Sequence, residues 1–154
     1  MRADINASLN LILNSLIDKK ELLIKFYQIE KKISEILRYN REDDIYKLIT
    51  DETDIIERIH LIDYDISSEK DYLIKTSGRN FETIILKIHN SDELAEKLKK
   101  TVSDSMVILA ELAELKKTNM ETAVNYTEDL SRQIRELEIM NSLTIIPPKD
   151  LQSL

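Results

Sequence analysis

Two histidines, His60 and His89, and the acidic pairs Asp43-Asp44 and Asp51-Glu52 are the side chains whose types could do chemistry. A two-histidine metal site on a helix holds its imidazoles three or four residues apart. These lie about thirty apart, so each reads as a partly exposed helix position. A carboxylate-bridged metal bundle asks for Glu-x-x-His on two helices, a pair the sequence lacks. The acidic pairs read as caps or solvated surface, as charged residues on a helix-rich chain usually are. Without cysteine there is no thiol nucleophile, thiolate metal site or disulfide. One glycine cannot build a loop that cradles phosphates with backbone amides, and six tyrosines and two phenylalanines are too scattered for a base-stacking platform. The expectation is a protein that is not an enzyme and needs no cofactor and no metal.

The elements behind these side chains follow from composition. One glycine and two prolines among 154 residues leave almost no turn chemistry, and 33% charged residues fit solvated helix surfaces. The fold class expected is all-α, with a single domain over residues 1–146 and a flexible tail over 147–154. A net charge of −7 and a pI near 5.0 disfavour nucleic acid, since phosphate binding rests on Lys and Arg. The apolar runs, Leu11-Ile12-Leu13 among them, are too short to span a bilayer, and no charged start followed by an apolar core marks a signal peptide. The expected setting is cytoplasmic, with protein partners, no nucleic acid and no membrane insertion.

Three long helical segments are expected, at about 5–38, 43–76 and 81–141. In the first, Leu9, Ile12, Leu16, Leu23, Phe26, Ile33 and Leu37 form an apolar stripe, with Asp4 or Asn6 as N-cap. Leu13, Leu22, Ile24 and Ile29 lie off that line, so this helix should touch neighbours on more than one side, as in a bundle. Asn40 to Asp44 supplies a polar turn whose acids cap the second helix, and Asp43 and Lys47 form an i, i+4 pair. The second helix carries Ile45, Leu48, Ile49, Ile55, Ile56, Ile59, Ile62 and Ile66. It should continue through Ser67-Ser68 and stop near Thr76, because Gly78 can take a left-handed C-cap. Residues 80–88 read as a short helix or as the first turns of the last one, with Ser91 as a candidate N-cap. The last helix has its stripe at Leu98, Val102, Leu109, Leu112, Ala123, Tyr126, Leu130, Leu137 and Met140, with a polar waist from Lys116 to Asn119. The architecture implied is an elongated antiparallel three-helix, coiled-coil-like bundle with a long C-terminal helix.

Two segments resemble a known family. Asp44-Ile45-Tyr46-Lys47-Leu48-Ile49-Thr50-Asp51-Glu52, continued by Ile55, Ile56, Ile59, Ile62 and Asp63, is similar to the second-helix motif of FlgN-type flagellar export chaperones. Leu112-Ala113-Glu114-Leu115-Lys116-Lys117-Thr118-Asn119 is similar to the leucine-then-asparagine segment of that family's last helix. The resemblance implies a cytoplasmic chaperone that holds C-terminal segments of hook–filament junction proteins unassembled. It would deliver them to the export gate and ATPase complex of the flagellar type III apparatus. Family members present a tyrosine in the tail to the gate. No tyrosine follows Tyr126 here, so that contact is not carried over.

At about 1.5 Å per residue the first two helices are each near 50 Å long and the last near 75 Å, so the last should outrun the bundle beyond about Val124. Its far stripe, Ala123, Tyr126, Leu130, Ile134, Leu137 and Met140, would then be an uncovered apolar strip, the expected client-binding surface, with Met140 and Ile139 adaptable enough to meet related sequences. The alternative is a structural or adaptor coiled-coil protein that uses the same helix to form a homodimer.

Overall fold

The computed structural model describes residues 2–39, 45–88 and 93–144. Four helices account for them: α1 (Arg2–Arg38), α2 (Ile45–Ser77), α3 (Phe81–Ile88) and α4 (Glu93–Thr144). No strand occurs among the described residues, so the fold is all-α.

The end of α2 follows from one residue. Gly78 has φ +67°, and its amide donates to the Ile74 carbonyl at 2.9 Å, closing the helix with the left-handed cap its sequence position suggested. The Ser77 hydroxyl donates to the Leu73 carbonyl at 2.7 Å and accepts from the Arg79 amide at 3.2 Å, so the chain leaves α2 with its polar groups occupied. Asn80 then starts α3, its Oδ1 accepting from the Thr83 amide at 2.8 Å as an N-cap does. Helix α2 runs without a break through Ser67-Ser68. Asp4 and Asn6, expected as caps, lie inside α1 instead, because the helix already starts at Arg2. The Asn10 side chain donates back to the Asn6 carbonyl at 3.0 Å. The expected turn and caps at 40–44, the pair Asp43–Lys47, the N-cap Ser91 and the tail 147–154 lie outside the described residues.

The chain divides into two compact units, 1–116 and 117–154, at the expected polar waist. In the first unit two clusters set the helix directions. One joins Leu9, Ile12 and Leu13 of α1 to Ile66 and Leu73 of α2, Ile84 of α3 and Leu98 of α4. The other joins Leu22, Leu23 and Phe26 of α1 to Ile55 of α2 and Leu112 of α4. Moving along α1 from Leu9 to Phe26 moves backward along α2 and forward along α4, so α2 is antiparallel to both. Ion pairs keep the same register: Lys19 to Asp63 at 2.6 Å and Lys20 to Asp104 at 3.0 Å. Helices α1, α2 and α4 thus form an antiparallel helical bundle. Leu13 and Leu22 are buried beside the main stripe of α1 and Ile29 is half-buried, so that helix packs over a broad face, while Ile24, expected with them, is exposed.

Two residues of the expected α4 stripe are not core. Val102 and Leu109 are exposed, while Ala95, Leu98, Thr101 and Leu112 are buried. Buried Thr101 satisfies its hydroxyl within its own helix, donating to the Lys97 carbonyl at 2.7 Å. That local bond lets a threonine hold the inward position and leaves its apolar neighbour Val102 facing out.

Candidate functional site

One turn beyond the second hydrophobic cluster, the three bundle helices each contribute an ionisable side chain. Glu30 follows Phe26 by four residues on α1, Lys116 follows Leu112 by four on α4, and Glu52 precedes Ile55 by three on α2. Since α2 runs opposite to the other two, these offsets bring all three to one layer of the bundle. Lys116 Nζ stands 3.1 Å from Glu30 Oε1 and 3.6 Å from Glu52 Oε2. It also lies over the Phe26 ring, 5.2 Å from its centroid, where the ring face favours a cation. The two carboxyl side chains are 3% and 6% exposed, against 44% for Lys116, so the cation reaches in from the bundle surface to two acids that water scarcely touches.

Two acids facing one cation cannot both ionise without cost. Burial first, and then the neighbouring Glu30, push the Glu52 carboxyl from its ordinary 4.5 up to about 7; Lys116 pulls it back only in part. For Lys116, burial works against the charge, but the hydrogen bond to Glu30 and the charges of both acids outweigh it and raise its pKa above the ordinary 10.5. Glu52 Oε1 is buried, and no hydrogen bond reaches it among the described residues. The layer can therefore take up and release one proton near neutral pH, shared by a carboxyl pair whose titration belongs to both acids. Among the described residues no group of three or more His, Cys, Asp and Glu could hold a metal ion. The sequence contained the signal for this site in Glu30, Glu52 and Lys116, each one turn from a core residue. Only the helix register, which no single helix shows, turns them into neighbours.

The client strip expected from the sequence lies in the second unit. Ile134 is exposed and Ala123 is half-buried. The side chains of Tyr126, Leu130, Leu137 and Met140 lie outside the described residues. Two apolar residues that the strip did not include, Met120 and Val124, are exposed at 61% and 55%, one turn apart on α4. At about 100° per residue Ile134 shares their face. An i, i+4 methionine–valine pair was the signal for it, displaced by a stripe drawn through Ala123. His60 is exposed, and His89 lies outside the described residues. No helix among the described residues is long and apolar enough to cross a membrane.

The fold and this site define a helical-bundle protein with an ionic layer in its core and an apolar face on its last helix. Neither family models, nor characterised proteins, nor solved structures bring out a match to the chain.

Proposed function

We propose that the protein is a cytoplasmic export chaperone of the FlgN type. It binds C-terminal segments of hook–filament junction proteins on α4 beyond Lys116, keeps them from assembling early and hands them to the flagellar type III export apparatus. The observation that carries this reading is the apolar face of Met120, Val124 and Ile134, all exposed on the segment of α4 beyond the polar waist. Water-facing apolar side chains on one helix face suit a helix-in-groove contact, and methionine adapts to clients of related but unequal sequence. The similarity of Asp44 to Asp63 and of Leu112 to Asn119 to the family's motifs supports the choice of client. The reading assigns no catalytic step, and no cofactor enters it.

The test is binding of a hook-junction C-terminal peptide to the full chain and to the variant M120S/V124S/I134S, followed by calorimetry. Binding to the wild type with at least a tenfold loss in the variant supports the reading. Equal binding by both removes α4 as the client surface. Binding by neither, with a wild-type dimer that the variant dissolves in sedimentation, favours the adaptor coiled coil.

A further inference from the structure

The face of α2 turned away from the bundle carries a pattern that packing does not use. Ile55, Ile62, Ile66 and Leu73 form its inward side. At about 100° per residue, Asp54, Glu57, Leu61, Tyr64, Asp65 and Tyr72 fall within an arc of about 100° on the other side. Leu61, Tyr64 and Tyr72 are 67%, 72% and 50% exposed, and the three acids between and beside them are exposed as well. Among the described residues Asp54, Glu57 and Asp65 form no ion pair, whereas Asp63, nearer the bundle, is held by Lys19. Between Asp54 and Tyr72 the one exposed Lys or Arg on α2 is Arg58.

We propose that this face docks a basic amphipathic helix of a partner protein. An apolar ridge on the partner would lie along Leu61, Tyr64 and Tyr72, and its Lys and Arg would reach Asp54, Glu57 and Asp65. Tyrosine gives rigid contact area at low entropic cost, and unpaired acids beside it select for cations and against other acidic surfaces. The chain's own rings show the affinity: Lys31, Lys70 and Lys116 stand 5.1, 4.8 and 5.2 Å from the centroids of Tyr27, Phe81 and Phe26. A second copy of this chain would bring the same acids to the face, against a net charge of −7 on each copy, and nucleic acid would bring phosphates. The surface is made by α2 residues alone and stands whether or not the α4 face binds an export client.

A fluorescent amphipathic peptide of Leu, Lys and Arg at helical spacing is titrated with the full chain, beside a control peptide in which Glu replaces every Lys and Arg. The basic peptide is expected to bind and to weaken as salt rises, while the acidic control does not bind. The variants L61S/Y64S/Y72S and D54N/E57Q/D65N should each lose about tenfold or more, as loss of central aromatic and charge contacts does. The variant D18N/E21Q/E35Q, with the same charge removed from exposed positions of α1, should stay within about twofold. Helical circular dichroism checks folding, and the single changes E57Q and Y64S replace any triple variant that loses helix. Equal binding by the acidic control, an equal loss in the α1 variant, or unchanged binding by both α2 variants overturns the proposal.

Discussion

Lys116 Nζ lies 3.1 Å from Glu30 Oε1, a contact between α4 and α1 made by residues 86 positions apart in the chain. It places the cation of the layer beside a carboxylate whose side chain is 3% exposed. Removing the cation leaves Glu30 and Glu52 facing each other in the core without the ammonium that offsets their charge. Breaking a buried ion pair from one side costs about 3–5 kcal/mol, and the open side of Lys116 puts this site at the lower end. Lys116→Met should therefore lower the urea stability of the chain by about 3 kcal/mol at pH 8. At pH 5 the loss should be smaller, because protons can take the place of the missing cation on the acid pair.

The same layer sets a pH dependence with a definite sign. The folded Glu52 carboxyl titrates at about 7 against an ordinary 4.5. Between those values the folded chain holds a proton that the unfolded chain has released, so the contribution to stability is complete below the lower value. It is lost as the pH rises through the higher one. About 1.4 kcal/mol per pKa unit makes about 3 kcal/mol an upper bound on the fall from pH 5 to pH 8, and relaxation around the acids reduces it. Glu52→Gln keeps the shape without the titration. Urea midpoints at pH 5, 6.5 and 8 should decline for the wild type and stay level for this variant; parallel declines would show that another group is responsible.

The end of α2 rests on backbone alone. A Cβ added at Gly78 would meet nothing within 4 Å, so Gly78→Ala costs only the left-handed conformation that the cap requires. That amounts to about 1–2 kcal/mol for a residue with a side chain. Gly78→Asn should lose less, since asparagine tolerates this region better. Thermal melts of the two variants should rank them in that order; equal melting temperatures would mean that the cap rearranges.

Where structure was legible in the sequence, a local cause settled it. Gly78 marks the end of α2 by its own conformational freedom, and Leu9, Ile12, Leu23 and Phe26 mark the inner face of α1 by spacing. Lys116 to Asn119 interrupt the apolar pattern where the chain divides into its two units. What escaped depends on partners distant in sequence. Whether Thr101 or Val102 faces inward is decided by the packing of α4 on its neighbours, and hydrophobicity alone picks the wrong one. Glu30 and Glu52 look like two of many surface acids until the antiparallel register puts both against Lys116. The second half of the candidate site was legible only in part, since Met120 and Val124 lie beside the stripe drawn through Ala123.

The register of α4 can be tested at the residue that misled the pattern. Thr101 is buried, and its hydroxyl bonds only to its own helix, donating to the Lys97 carbonyl at 2.7 Å. That carbonyl is also the acceptor for the helix's own ladder, so losing the hydroxyl orphans no backbone group. Thr101→Val exchanges a self-satisfied polar group for a methyl of nearly the same shape in an apolar setting, a change that is neutral or stabilising by up to about 1 kcal/mol. Val102→Asp, on the exposed side, should be mild, within about 0.5 kcal/mol, since the two residues have similar helix propensities. Had the helix packed on the face the apolar pattern suggested, Val102→Asp would bury a carboxylate that cannot satisfy itself on its own helix and cost about 3 kcal/mol or more. Urea denaturation of these two single variants therefore distinguishes the two registers, because a charge is tolerated only where the helix faces out.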